Sequence, residues 1–105
     1  MRVVAKRTIN AYRECYPDAD EKLRSWVSLI EEHDFEHLAA LKDIFNRVDH
    51  IKGDIVVFKR IKGNKYRLIC GMDYRRQRVF VKWFGPHKEY DKINPLEVKH
   101  VYPPC

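Results

Sequence analysis

Residues 61–69 read I-K-G-N-K-Y-R-L-I, and residues 85–91 read G-P-H-K-E-Y-D. Gly63-Asn64 is a two-residue turn signal set between apolar runs. After it, Tyr66, Leu68, Cys70, Met72 and Tyr74 recur at every second position, the spacing that places them on one side of a strand. Arg67, Ile69, Gly71 and Asp73 take the other side, so Arg67 points away from the more apolar face.

Working outward, residues 55–61, 66–74 and 79–84 read as three strands joined by that turn and by the polar run 75–77, which makes an antiparallel meander. In the last of these, Phe80, Lys82 and Phe84 alternate with Val79, Val81 and Trp83, so either set can present an aromatic to RNA, and a strand between two faces of a small core has the same pattern. Residues 2–5 form a short β-branched run suited to a further strand. Upstream of the meander the period is helical. Thr8 is placed to cap a helix that runs to about Cys15 and stops before Pro17, because the residue preceding a proline is pushed out of the helical region. A second helix follows, capped by Asp18 or Asp20, with Leu23, Trp26, Val27 and Ile30 in the i, i+3, i+4, i+7 pattern of a core stripe. Residues 35–45 form a third, with Leu38, Leu41, Ile44 and Phe45 on its apolar side.

Helices followed by hairpin-linked strands give an α+β fold, in which N-terminal helices pack on one face of a mostly antiparallel sheet and the other face is left for a ligand. No repeat, low-complexity tract or linker divides the chain, so residues 1–105 are expected to form a single domain, with 94–105, containing Pro95, Pro103 and Pro104, as an extended tail.

The 105 residues carry a formal charge of +6. That surplus is regional. Residues 1–49 hold 8 Lys/Arg against 10 Asp/Glu, whereas residues 50–92 hold 12 against 4. A basic excess confined to the strands indicates a polyanionic partner better than an evenly spread solubility charge does. Cys15, Cys70 and Cys105 are odd in number, far apart and without a C-x-x-C pair, so reduced thiols in a cytoplasmic protein are expected. The opening M-R-V-V-A-K-R-T is too short for a signal segment and no apolar run reaches the length of a membrane span.

Cleaving RNA without a metal requires a base for the 2′-hydroxyl, cations for the charge that builds on the phosphate and an acid for the leaving 5′-oxygen. Arg67 suits the phosphate, since a guanidinium binds it as a fork and stays charged. His87 offers an imidazole, which exchanges protons near neutrality. Tyr90 offers a phenol for proton transfer or a ring that stacks on a base, and Asp91 closes the segment. Lys59, Arg60, Lys62, Lys65, Lys82 and Lys88 are the candidate RNA contacts. His33 and His37 stand at i, i+4, but no third metal ligand accompanies them, and no phosphate-binding loop, nucleophile elbow or H-E-x-x-H motif occurs. No cofactor and no metal site are expected. The same basic sheet also fits a non-catalytic nucleic-acid-binding module.

The order K-Y-R-L-I, an apolar strand ending in Gly85, then H-K-E-Y-D resembles the HigB-type toxins of the RelE/ParE superfamily, from the Trp26 helix through Ile93 and most strongly over residues 61–91. That resemblance implies a RelE-like α+β fold and the toxin of a type II toxin-antitoxin pair: a metal-independent endoribonuclease that cleaves messenger RNA on the ribosome and is held in check by a helix-turn-helix antitoxin of the HigA type. The motif's catalytic arginine falls on Arg67, its imidazole or cation on His87, and its late tyrosine and acid on Tyr90 and Asp91. The pattern departs at Pro86, where a hydroxyl residue is expected; proline has no amide to donate and fixes the approach of His87. A gyrase-poisoning relative is the remaining superfamily alternative, since fold alone does not set function.

Overall fold

The computed structural model describes residues 1–98. From residue 48 onward the chain forms four antiparallel strands, β2 (Val48–Lys52), β3 (Ile55–Ile61), β4 (Tyr66–Asp73) and β5 (Arg78–Pro86). The short N-terminal strand β1 (Arg2–Val4) adds to the free side of β5 in parallel, for a spatial order β1-β5-β4-β3-β2. Parallel addition needs a long connection. The helices and the meander provide it: α1 (Lys6–Cys15), a 3-10 turn (Pro17–Ala19), α2 (Asp20–Glu32) and α3 (Leu38–Ile44) all lie between β1 and β2 in sequence, and α4 (His87–Tyr90) follows β5.

The even residues of β4 do what their spacing predicts. Tyr66, Leu68, Cys70 and Met72 are buried in one cluster with Phe58, Val79, Val81 and Phe84 from the neighbouring strands and with Ile9, Tyr12, Leu23, Trp26 and Ile30 from α1 and α2. Edge-to-face ring pairs join the layers, Tyr12 with Phe84 at 5.7 Å and Trp26 with Phe58 at 5.4 Å. This is the α+β arrangement anticipated, with helices on one face of a mostly antiparallel sheet.

Several local expectations are corrected. Strict alternation in β5 fails because Cys70 pairs with Val81 while Ile69 pairs with Trp83, leaving Lys82 as the extra residue of a bulge. Val79, Val81 and Phe84 therefore all reach the core, and Lys82 and Trp83 both turn to the opposite face. Thr8 is not a cap: α1 starts at Lys6 after a left-handed Ala5, and Thr8 is buried. Neither Asp18 nor Asp20 caps α2. Asp20 bridges Arg13 at 2.5 Å and Arg24 at 3.4 Å. The third helix is shorter than expected because His37 caps it at the Ala40 amide, which leaves Phe35 buried ahead of the helix and Ile44 39% exposed at its end. β2 was not anticipated as a strand.

Among the cysteines, Cys70 is a free buried thiol and burial pushes its pKa well above the usual range. Cys105 lies outside the described residues. So does most of the expected tail, whose described start is not extended: the Glu97 amide donates to the Asn94 carbonyl in a turn. Among the described residues, no helix is long and apolar enough to cross a membrane.

Candidate active site on the open sheet face

Arg67 lies at an odd position of β4 and so projects from the face opposite the helices. Its Nη1 donates to the carbonyls of Lys59 at 3.2 Å, Asn64 at 3.1 Å and Tyr66 at 3.2 Å. Carbonyls fix a guanidinium without neutralising it. Among the described residues no carboxylate pairs with Arg67, so its full charge is left for an incoming anion.

Across the strand from Arg67 stands Gly85. The Trp83 indole lies over that glycine so closely that a Cβ there would come within 2.8 Å of two ring carbons. A side chain at position 85 would displace the indole. Trp83 and the half-buried Tyr90 have ring centroids 6.3 Å apart at 44°. One end of the β4–β5 pair thus carries a fixed guanidinium and two aromatic rings.

The strand then ends at Pro86, whose extended backbone turns the chain into α4. The His87 amide donates to the Lys65 carbonyl at 2.9 Å, which ties the start of α4 to the β3–β4 hairpin, and the Asp91 amide closes the turn on the His87 carbonyl at 3.0 Å. His87 Nδ1 stands 3.8 Å from Asp91 Oδ2, with the imidazole 40% exposed. That distance is beyond a hydrogen bond. Lys88 is exposed.

The hairpin lysines are less free than their sequence suggests. Asp18, from the turn between α1 and α2, reaches the hairpin and holds Lys65 at 2.5 Å, Lys62 at 3.7 Å and the Tyr66 hydroxyl at 2.5 Å. The Lys65 bond, then the Tyr66 bond, lower the Asp18 pKa to about 2, and the same carboxylate raises that of Lys65. Two ammonium groups against one carboxylate still leave a net positive charge. On the open face Lys59 pairs with Asp49 at 2.5 Å. Arg60 instead lines a groove on the helix side with Trp26 and Phe58. Lys82 leans over Gly71, four residues along β4 from Arg67, or about 13 Å at the usual strand rise.

The structure thus brings Arg67, His87, Tyr90 and Asp91 to one end of the sheet, with Lys59, Lys62 and Lys65 beside them and Arg60 and Lys82 apart. Asp18 belongs to this region and was missed by the sequence reading, and Trp83, which the sequence offered only as a member of one of two alternating sets, belongs to it as well. A bulge hid the facing of Trp83, and Asp18 looked like a helix cap. His33 and His37 are occupied locally, His33 Nδ1 with the Leu29 carbonyl at 2.9 Å and His37 as the cap of α3.

A five-stranded, mostly antiparallel sheet backed by helices is the architecture of a RelE-like fold. Residues 19–93 match the HigB toxin family, described as the RelE-like toxic component of a toxin-antitoxin system, and the chain belongs to that family. It is also 28% identical over 94 residues to the mRNA interferase HigB of Escherichia coli O6:H1, an alignment covering 89% of this chain and 91% of the relative.

Proposed function

We propose that this chain is an endoribonuclease that cleaves messenger RNA on the ribosome in the cytoplasm, without a metal, and is neutralised by a helix-turn-helix antitoxin of the HigA type. The observation that carries this reading is the uncompensated Arg67 guanidinium, held by three carbonyls beside Trp83, Tyr90 and the His87 turn. A scissile phosphate on Arg67 places the flanking base against Trp83 or Tyr90, where aromatic stacking holds a splayed nucleotide.

In the reaction the 2′-oxygen attacks the adjacent phosphorus, the bond to the 5′-oxygen breaks, and the products are a 2′,3′-cyclic phosphate and a free 5′-hydroxyl. The proton leaves the 2′-hydroxyl for a base and another reaches the 5′-oxygen from an acid. His87 exchanges these protons through Nε2, with Asp91 steadying Nδ1 on the far side of the ring. Tyr90 holds the nucleotide or supplies the second proton-transfer group. Arg67 stabilises the charge that develops on the phosphoryl oxygens. Lys88, Lys62 and Lys65 hold the RNA or ribosomal RNA backbone.

Family membership and the interferase relative both favour this reading over a non-catalytic binding module or a gyrase poison. Expression of the chain without its antitoxin should arrest growth and create new 5′-ends within translated messages. Full-strength arrest with intact messages would exclude the interferase reading.

A further inference from the structure

On the helix side of the sheet, α2, the segment after α3 and the end of β3 enclose a groove of about 250 Å³ that the proposed RNA chemistry does not use. Its floor and walls are apolar: Trp26, Leu29, Ile44, Phe45, Phe58 and Ile61. Ile44 is one of three large apolar side chains exposed among the described residues. Around this apolar floor stand three cations, Lys22, Arg47 and Arg60.

Two features separate this groove from an ordinary surface dimple. Lys22, Arg47 and Arg60 make no ion pair among the described residues, whereas Lys59, Lys62 and Lys65 nearby each rest on a carboxylate. The rim is also fixed in advance, because the Lys59 amide holds the carbonyl of Arg47, whose backbone is left-handed at φ 80°.

We propose that this groove receives an acidic, apolar-anchored peptide segment of the antitoxin. A branched aliphatic or aromatic side chain of that segment seats against Phe45, Phe58 and Ile44. Acidic side chains of that segment pair with Lys22, Arg47 and Arg60. RNA fits less well. It is gripped by aromatic faces open to stacking, and Trp26 is packed edge-to-face against Phe58 with its ring buried. The groove opens on the face of the sheet opposite Arg67, so a partner docked there can hold the toxin without entering the cleavage site.

This inference rests on the toxin reading, and the test separates the two. Ile44→Asp with Lys22→Glu changes two exposed side chains outside the proposed cleavage machinery. The full chain and this double variant are titrated with the purified antitoxin encoded beside the gene, and growth is followed with and without that antitoxin. The double variant should still arrest growth, bind the antitoxin at least tenfold more weakly and escape its neutralisation. Wild-type affinity and full neutralisation of the double variant would overturn the groove and leave the toxin reading standing. A wild-type chain that neither arrests growth nor cleaves messages would overturn the toxin reading itself. Loss of binding to a single-stranded RNA oligomer, with antitoxin binding intact, would reassign the groove to nucleic acid and overturn the proposal.

Discussion

Arg67 and His87 lie at the same end of the β4–β5 pair, but they are held in different ways. Arg67 is clamped by three backbone carbonyls inside the meander. His87 is placed by a hydrogen bond from its amide to the Lys65 carbonyl, on a four-residue helix, with the Asp91 carboxylate 3.8 Å away and its imidazole 40% exposed. The group that must meet a charge already present on the substrate is rigid, and the group that must follow a moving proton is loosely set. Electrostatic stabilisation draws its strength from donors that need no reorganisation, whereas acid–base hydrogen bonds often tighten only once substrate is bound.

Replacing the rigid element should do the most damage. Arg67→Ala should lower single-turnover cleavage by about 10²–10³, with the thermal unfolding midpoint little changed, because the side chain projects from the face opposite the core cluster. Unfolding of the variant would instead make Arg67 a structural brace.

His87→Gln keeps a hydrogen-bonding side chain but cannot titrate near neutrality. It should slow the cleavage step by about 10², the lower end for a proton-transfer residue, and leave RNA binding close to wild type in a titration. A pure binding defect would erase the contrast between the two ends of the site.

Asp18 links the helices to the hairpin that carries both ends of the site. Its pKa is lowered, so the stability it contributes is fully present above its ordinary value of 3.8 and is lost as pH falls through about 2. Wild-type protein should lose stability between roughly pH 4 and pH 2 more steeply than Asp18→Asn. At neutral pH the variant should be weaker by about 1 kcal/mol, a modest figure because solvent screens a carboxylate so near the surface. Parallel acid titrations of the two proteins would remove Asp18 from this role.

The smallest effect belongs to Lys88→Ala. It should weaken RNA or ribosome association a few-fold, with the slope of log affinity against log salt reduced by about 1. An unchanged slope would show that Lys88 does not touch phosphate.

What could be read from the sequence was what short-range periodicity encodes. The even residues of β4 and the Leu23, Trp26, Ile30 stripe of α2 announced their burial, and with it the α+β layering. The match of residues 61–91 to a known motif order brought the family within reach. Placement that depends on distant partners was not legible. β2 offers only Val48 and Ile51 as apolar residues and becomes a strand because β3 supplies a partner for its backbone. The bulge at Lys82 shifts the face of every later residue in β5, with no local mark in the sequence. Asp18 meets Lys65 across 47 positions, a contact that no local pattern could suggest.

The central claim is that a fixed guanidinium and a loosely held imidazole divide charge stabilisation from proton transfer in a metal-free cleavage. Single-turnover cleavage of a message on a programmed ribosome, at saturating protein and with a chelator present, tests it most directly when wild type, Arg67→Ala, His87→Gln and Tyr90→Phe are run alongside binding titrations. The account predicts chelator-insensitive cleavage by wild type to 2′,3′-cyclic phosphate ends, near-normal binding by His87→Gln, and a slow cleavage step in both Arg67→Ala and His87→Gln. Cleavage by His87→Gln at the wild-type rate while Tyr90→Phe is inactive would give the proton-transfer role to Tyr90 and contradict the division drawn here.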